Sequence, residues 1–185
     1  MSGDARIAKP SMEREAVKGL RARRIAYFGH DAGDAAIRRR VRAFEDDGAA
    51  VTGFMMRRGD AQTTEWKNID LGRTADGAFL QRIRQVFSGA ATAAMQHEEL
   101  ASADVIVARN LDMLACAFLA KRKAKLETPV IYESLDVHRL LCRQDLIGKA
   151  LRWLEGRLLR RTKGLIVSSP AFLENHFERY YPDQY

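Results

Sequence analysis

Short runs of consecutive apolar residues alternate along this chain with longer stretches in which apolar residues recur every three or four positions. "RIAYFGH" (24–30) is a compact apolar run ending at a glycine and reads as a buried strand. Residues 34–47 place Ile37, Val41 and Phe44 at helical spacing, with Asp34 as N-cap and Gly48 as the stop. "AAVTGFMM" (49–56) is a second strand and "NIDLG" (68–72) a short third, joined by a loop rich in Arg, Asp, Gln and Thr. Asp76 caps a long helix with an apolar stripe of Phe79, Ile83, Val86, Phe87, Ala90 and Ala94. "ADVIVARN" (103–110) is the next strand, and Asn110 caps a helix carrying Leu111, Leu114, Phe118 and Leu119. "TPVIYES" (128–134) follows, then a helix over 144–161 with Ile147, Leu151, Leu154 and Leu158 on one face. "GLIVSS" (164–169) is the last strand, and "SPAFLENHF" opens the last helix with Ser169 as N-cap and Pro170 at the first helical position.

This alternation predicts an α/β chain: a three-layer, Rossmann-like domain with a mostly parallel sheet. The strands are apolar throughout rather than alternating, as expected when helices cover both sheet faces. Residues 1–22 read as a flexible lead-in with a short helix at 12–20, and residues 23–181 as the domain. With 185 residues, 46% hydrophobic and 30% charged, the composition is that of a soluble globular protein large enough for a full core. No window approaches a membrane-spanning apolar run, and the polar start lacks the apolar segment of a secretory signal.

Charge adds a question of partners. The formal net charge is +7, and the cations come in runs: Arg21 to Arg24, Arg38 to Arg42, Arg57 with Arg58, Lys121 to Lys125, and Arg157 to Lys163. Such runs are solvated helix faces or a surface attracted to anionic lipid. No helix-turn-helix, zinc finger or aromatic RNA-binding motif accompanies them, so no nucleic-acid partner is expected. Cys116 and Cys142 are too few and too far apart for a metal motif and read as reduced thiols in apolar helical patterns of a cytosolic protein. No metal or cofactor is expected.

Candidate chemistry gathers at strand ends. In an open parallel sheet, ligands bind at the carboxyl edge of the strands. Four predicted strand ends carry polar or flexible groups there: Gly29-His30-Asp31, Arg109-Asn110, Glu133 through Arg139, and Ser168-Ser169. Glu133 and His138 are not needed as caps, because the next helix starts only near Gln144. The alternative for Asp136 and Arg139 is a surface ion pair with His138 a bystander. Ser168-Ser169 before a helix could receive a phosphate or a sugar hydroxyl, or simply cap it. "GHDAGDA" lacks the G-x-G-x-x-G spacing that lets backbone approach a pyrophosphate, and there is no Walker A, G-x-S-x-G or H-E-x-x-H motif.

Four stretches, "RIAYFGHDAGDAAIRRRVRAFEDDGAAV", "ADVIVARNLDMLACAFLAKRK", "TPVIYESLDVHRLL" and "LRWLEGRLLRRTKGLIVSSPAFLENHF", follow one another in an order and spacing that resemble the N-terminal half of a GT-B glycosyltransferase of the retaining family 4 group. The resemblance covers residues 24–181 and implies an acceptor-holding domain, with the nucleotide-sugar donor bound mainly by a second domain. It places the start of the linker to that domain at 182–185. It also implies a catalytic or donor-facing role for His138, acceptor contacts for His30, Asp31, Glu133 and Asp136, a phosphate contact for Arg109, and room for substrate at Gly29. Negligible transfer by this chain alone is expected, as is a cytoplasmic location at the inner face of the plasma membrane, where Arg38 to Arg42 and Lys121 to Lys125 would meet anionic lipid and a polysaccharide or lipid-linked acceptor would be served. Two further readings stand beside it. One is a flavodoxin- or receiver-like binding module, opposed by Arg109-Asn110 where a receiver would end its strand in Asp. The other is a nucleotide-dependent epimerase or dehydrogenase, opposed by the missing glycines.

Overall fold

A computed structural model describes residues 24–60, 63–74, 79–137, 139–182 and 184–185. The lead-in, the cap expected of Asp76, and His138 lie outside the described residues. Strands β1 (Arg24–Gly29), β2 (Ala50–Arg57), β3 (Lys67–Arg73), β4 (Val105–Arg109), β5 (Val130–Ser134) and β6 (Gly164–Val167) form one sheet in the order β3-β2-β1-β4-β5-β6. Every pairing is parallel. Helices α1 (Ala35–Asp46), α2 (Phe79–Met95), α3 (His97–Ala101), α4 (Asn110–Lys123) and α5 (Leu146–Leu159) connect them, and α6 (Pro170–Phe172) runs into a π-helical turn, Leu173–Glu178.

Successive strand residues divide between two cores. Ile25, Tyr27, Val51, Met55 and Val107 pack with Ile37 and Val41 of α1 and with Trp66. Ala26, Phe28, Phe54, Ile106, Ala108 and Tyr132 pack on the opposite face against α2, α4, α5 and Phe177. Right-handed crossovers account for the division. The chain leaves β1 for β2 in one direction across the sheet and passes from β3 through β4 and β5 to β6 in the other. Among the described residues, α1 therefore covers one face and the remaining helices the other.

Local chemistry sets the helix ends. Asp34 accepts from the amides of Ala36 and Ile37 at 2.7 and 3.2 Å, capping α1 as its position predicts. Gly48 ends that helix with φ 87°, a conformation that needs no Cβ.

Two apolar stripes differ from the sequence expectation. On α2, Ile83 and Phe87 are 38% and 54% exposed, whereas Ala90 and Ala93 are buried. The small side of the helix turns inward because a Cβ at Gly89 would lie 3.1 Å from Met56 and 3.5 Å from Cys116, a close approach that bulky residues would forbid. On α5, Arg152 and Glu155 are buried, while Leu146 is 82% and Trp153 65% exposed. Ile147, expected inside, is exposed as well. Cys142 is exposed in a turn rather than on a helix, and the Cys116 thiol, buried near Asp112, is pushed up to about 12.

Candidate functional site

A parallel sheet gathers all its strand carboxyl ends on one edge. Connections diverge between β1 and β4, where the strand order switches direction, and a crevice opens at such a point. Past the last registered pair, Phe28 with Ala108, stand Gly29 and Arg109, followed by His30 and Asn110. Three buried side-chain atoms here have no hydrogen-bond partner: His30 Nδ1, Arg109 Nε and Asn110 Oδ1. Arg109 as a whole is only 6% exposed. Trp66, Asn68 and Gln85 carry such atoms elsewhere; what distinguishes these three is that they stand on two adjacent strand ends at the switch point, where the polar groups of a ligand would meet them.

The local backbone explains how they come to be there. Asn110 was expected to cap α4. Instead Arg109 occupies the cap position without a side-chain cap bond, and Asn110 is the first helical residue, with φ 66°. That left-handed conformation suits asparagine better than most residues and is found where structure around a site holds it. Gly29 behaves differently from the substrate room expected of it. A Cβ there would lie 2.9 Å from Ile37 Cδ1 and 3.2 Å from Met55 Sδ, so the missing side chain lets α1 approach the sheet. Asp31 shapes the turn after β1 by accepting from the Gly33 amide at 2.9 Å. His30 Nε2 lies 3.4 Å from Asp34 Oδ2.

Glu133 closes the crevice on the β5 side and is fully buried. Tyr27 donates its hydroxyl to Oε2 at 2.6 Å, and Arg40 donates Nε–H to Oε1 at 2.6 Å. Arg109 reaches the Tyr27 oxygen at 3.5 Å, so four side chains from β1, α1, β4 and β5 share one network. Burial, and then the Glu133 carboxylate, push the Tyr27 phenol well above its ordinary range. Tyr27 and Arg40 were not foreseen. Tyr27 is the one polar-tipped residue in the apolar run that follows Arg24, and Arg40 was hidden inside a basic run.

The remaining expected residues stand apart. Asp136 is exposed in the bend after β5, as is Arg139. Ser168 donates to the Leu135 carbonyl at 2.7 Å, tying the end of β6 to that bend. Ser169 occupies the cap of α6 but makes no cap bond, and that helix has three α-helical residues before it widens. The helical run continues through the π-helical turn to Tyr180.

A second buried carboxylate lies on the other face of the sheet. Glu155 accepts from Tyr132 at 2.8 Å and from Tyr181 at 2.7 Å, and its Oε2 is 2.7 Å from His176 Nε2. Tyr132 and Tyr181 are raised well above the ordinary phenol range by burial and then by Glu155. Its partners saturate this carboxylate, which makes it an anchor for the C-terminal segment. An open depression of about 360 Å³, lined by Arg24, Thr52, Glu98 and Ser102, sits at the opposite, amino-terminal edge of the strands and holds none of the orphaned atoms. Among the described residues no group of three His, Cys, Asp or Glu is placed to hold a metal ion, and no helix is long and apolar enough to cross a membrane.

Known proteins place this geometry in context. No family model matches the chain. The succinoglycan biosynthesis protein ExoL of Rhizobium meliloti (strain 1021) is 42% identical over 156 residues, which make up 83% of this chain and 39% of that protein. A solved structure, the apo form of the lipopolysaccharide outer core galactosyltransferase WaaB, matches 84% of this chain and 42% of its own, with a TM-score of 0.53 and 14% identity. The chain thus spans about two fifths of the length of either protein.

Proposed function

We propose, from the premise that this chain is a domain of GT-B glycosyltransferase fold, that it holds the acceptor while a hexose passes from a nucleotide-sugar to a polysaccharide or lipid-linked acceptor. One observation carries the reading: the unpartnered buried atoms of His30, Arg109 and Asn110 converge at the switch point of the sheet. A sugar hydroxyl both donates and accepts. Asn110 Oδ1 accepts, Arg109 Nε donates, and the His30 ring nitrogen does either according to its tautomer. A hydroxyl-rich acceptor satisfies all three, and a charged group on it would lie against the Arg109 guanidinium. The similarity to a protein named for succinoglycan biosynthesis supports a polysaccharide context.

The donor belongs elsewhere in this reading. Glycosyl transfer leaves negative charge on the departing diphosphate and needs cations and an enclosed, water-poor cleft. Arg40 is already committed to Glu133, and one rim cannot exclude water. A second domain closing over the rim supplies those groups. The isolated chain then gives negligible transfer, which a radiolabelled sugar-transfer assay measures. Robust turnover would remove the donor assignment.

Saturation-transfer NMR tests the acceptor role. The probes are prenyl-diphosphate-linked monosaccharides and free oligosaccharides, set against UDP- and GDP-hexoses. Acceptor-type probes should bind, and Arg109→Gln or Asn110→Ala should weaken them about tenfold, the worth of a hydrogen bond to a charged or buried group. Tight nucleotide-sugar binding without acceptor binding, or unchanged binding in Arg109→Gln, overturns the reading.

A further inference from the structure

Helix α5 is built inside out. Its buried side holds Gly148, Arg152, Glu155 and Gly156 with Leu158 and Leu159. Its exposed side carries Leu146, Ile147 and Trp153, at 82%, 43% and 65% exposure, interleaved with Ala150, Lys149 and Arg157. The basic surface continues through exposed Arg160, Arg161 and Lys163. Glu155, the one acidic residue of the helix, is locked inside by Tyr132, His176 and Tyr181. Asp145 at the N-cap is paired with Arg143. The outward arc is therefore apolar and cationic with no acid in it.

We propose that this face seats α5 in the interfacial plane of an anionic bilayer. Leu146, Ile147 and Trp153 enter the boundary between headgroups and acyl chains, while Lys149, Arg157 and Arg160 meet lipid phosphates. Tryptophan favours that boundary, and long basic side chains lay their stems on it with their charges outward. Charge decides against a second copy of this chain as the occupant. A twofold interface would set Lys149, Arg157 and Arg160 against themselves with no acid on the face to pair them. The basic runs first expected to serve include no exposed large apolar side chain, whereas α5 carries three. Arg40 and Arg42 are engaged by Glu133 and Glu65. Lys121 to Lys125 close α4 at the amino-terminal edge of the sheet; α5 starts, with Leu146, at the carboxyl edge and carries its basic end, Arg157 to Lys163, to that same amino-terminal edge. Docking along α5 would hold its first turn, Leu146 to Lys149, at the edge that carries His30, Arg109 and Asn110. The inference does not depend on the proposed reaction, because its readout involves no turnover.

Trp153 is its own reporter, since the only other tryptophan, Trp66, is buried. With phosphatidylglycerol–phosphatidylcholine vesicles, emission should shift to the blue and be quenched by bromolipid, and both effects should fade with added salt. In flotation, the Leu146→Glu/Trp153→Glu variant should lose at least about tenfold in partitioning, and Arg157→Gln about fivefold. Lys121→Gln/Lys123→Gln, on α4, should lose less than either. All the altered side chains are at least partly exposed, and circular dichroism verifies the fold. Four outcomes each overturn the proposal: no quenching in the unaltered chain, binding indifferent to the α5 variants, binding that depends on Lys121 and Lys123 instead, or a dimer in sedimentation that Trp153→Glu dissolves.

Discussion

Glu133 has no surface in contact with water, yet it sits beside two guanidinium groups and a phenol on the α1 side of the sheet. A buried carboxylate is tolerated only when paired, and removing its partner costs more than the pair contributes. Arg40→Ala should therefore lower unfolding free energy by about 3 kcal/mol, and adding Glu133→Gln should restore part of it. Urea denaturation of the single and double variants measures both. Asp34 gives a pH dependence of definite sign. Burial raises its pKa, but the Ala36 and Ile37 amides, helped by His30 and Arg109, outweigh that and hold the carboxyl below its ordinary value. Its stabilising effect is complete above the unfolded value of about 4 and is lost as pH falls through the lower folded value. Asp145, lowered by Arg143 and the Gly148 amide, acts in the same direction. Thermal midpoints should fall on acidification below about pH 4, and more shallowly in Asp34→Asn, which keeps a capping oxygen but cannot titrate. The sequence showed Glu133 and Arg109 as polar strand ends. It could not show that Tyr27 and Arg40 join them, because that contact spans more than ninety residues and depends on which strands become neighbours.

Elements were legible to the extent that their pattern is local. Caps at Asp34 and the glycine stop at Gly48 follow from residue type alone. The rotation of α2 and α5 about their axes did not, because it is decided by what each helix meets: a small-residue contact at Gly89 for one, and a buried carboxylate at Glu155 for the other. Substitutions test both kinds of contact. Tyr181→Phe removes one donor from the Glu155 carboxylate and should cost about 1.5 kcal/mol in urea denaturation, with faster amide exchange over 170–181. Gly29→Ala meets only the flexible ends of Ile37 and Met55, so the loss should be nearer 1 kcal/mol than the 3 kcal/mol of a rigid clash.

At the scale of the molecule, alternating periodicity sufficed for an α/β layer architecture, because helices on both faces demand wholly apolar strands. The strand order, and with it the crevice between β1 and β4, came only with coordinates. Both cores share the strands of one sheet, so the domain should unfold as a unit. Fluorescence, dominated by Trp66 burial, and far-ultraviolet dichroism should give coincident transitions. The π-helical turn at Leu173–Glu178 adds a constraint of another kind. Its bonds reach five residues rather than four; just beyond it Tyr181, whose amide donates to the Phe177 carbonyl, meets His176, five residues earlier, on the same oxygen of Glu155. With 3.6 residues per turn those two side chains would point well away from each other. This stretch therefore counts residues. Exchanging one exposed side chain for another should pass almost unnoticed, but deleting a single position between them, such as Glu178, would throw the two rings out of phase and loosen the end of the chain.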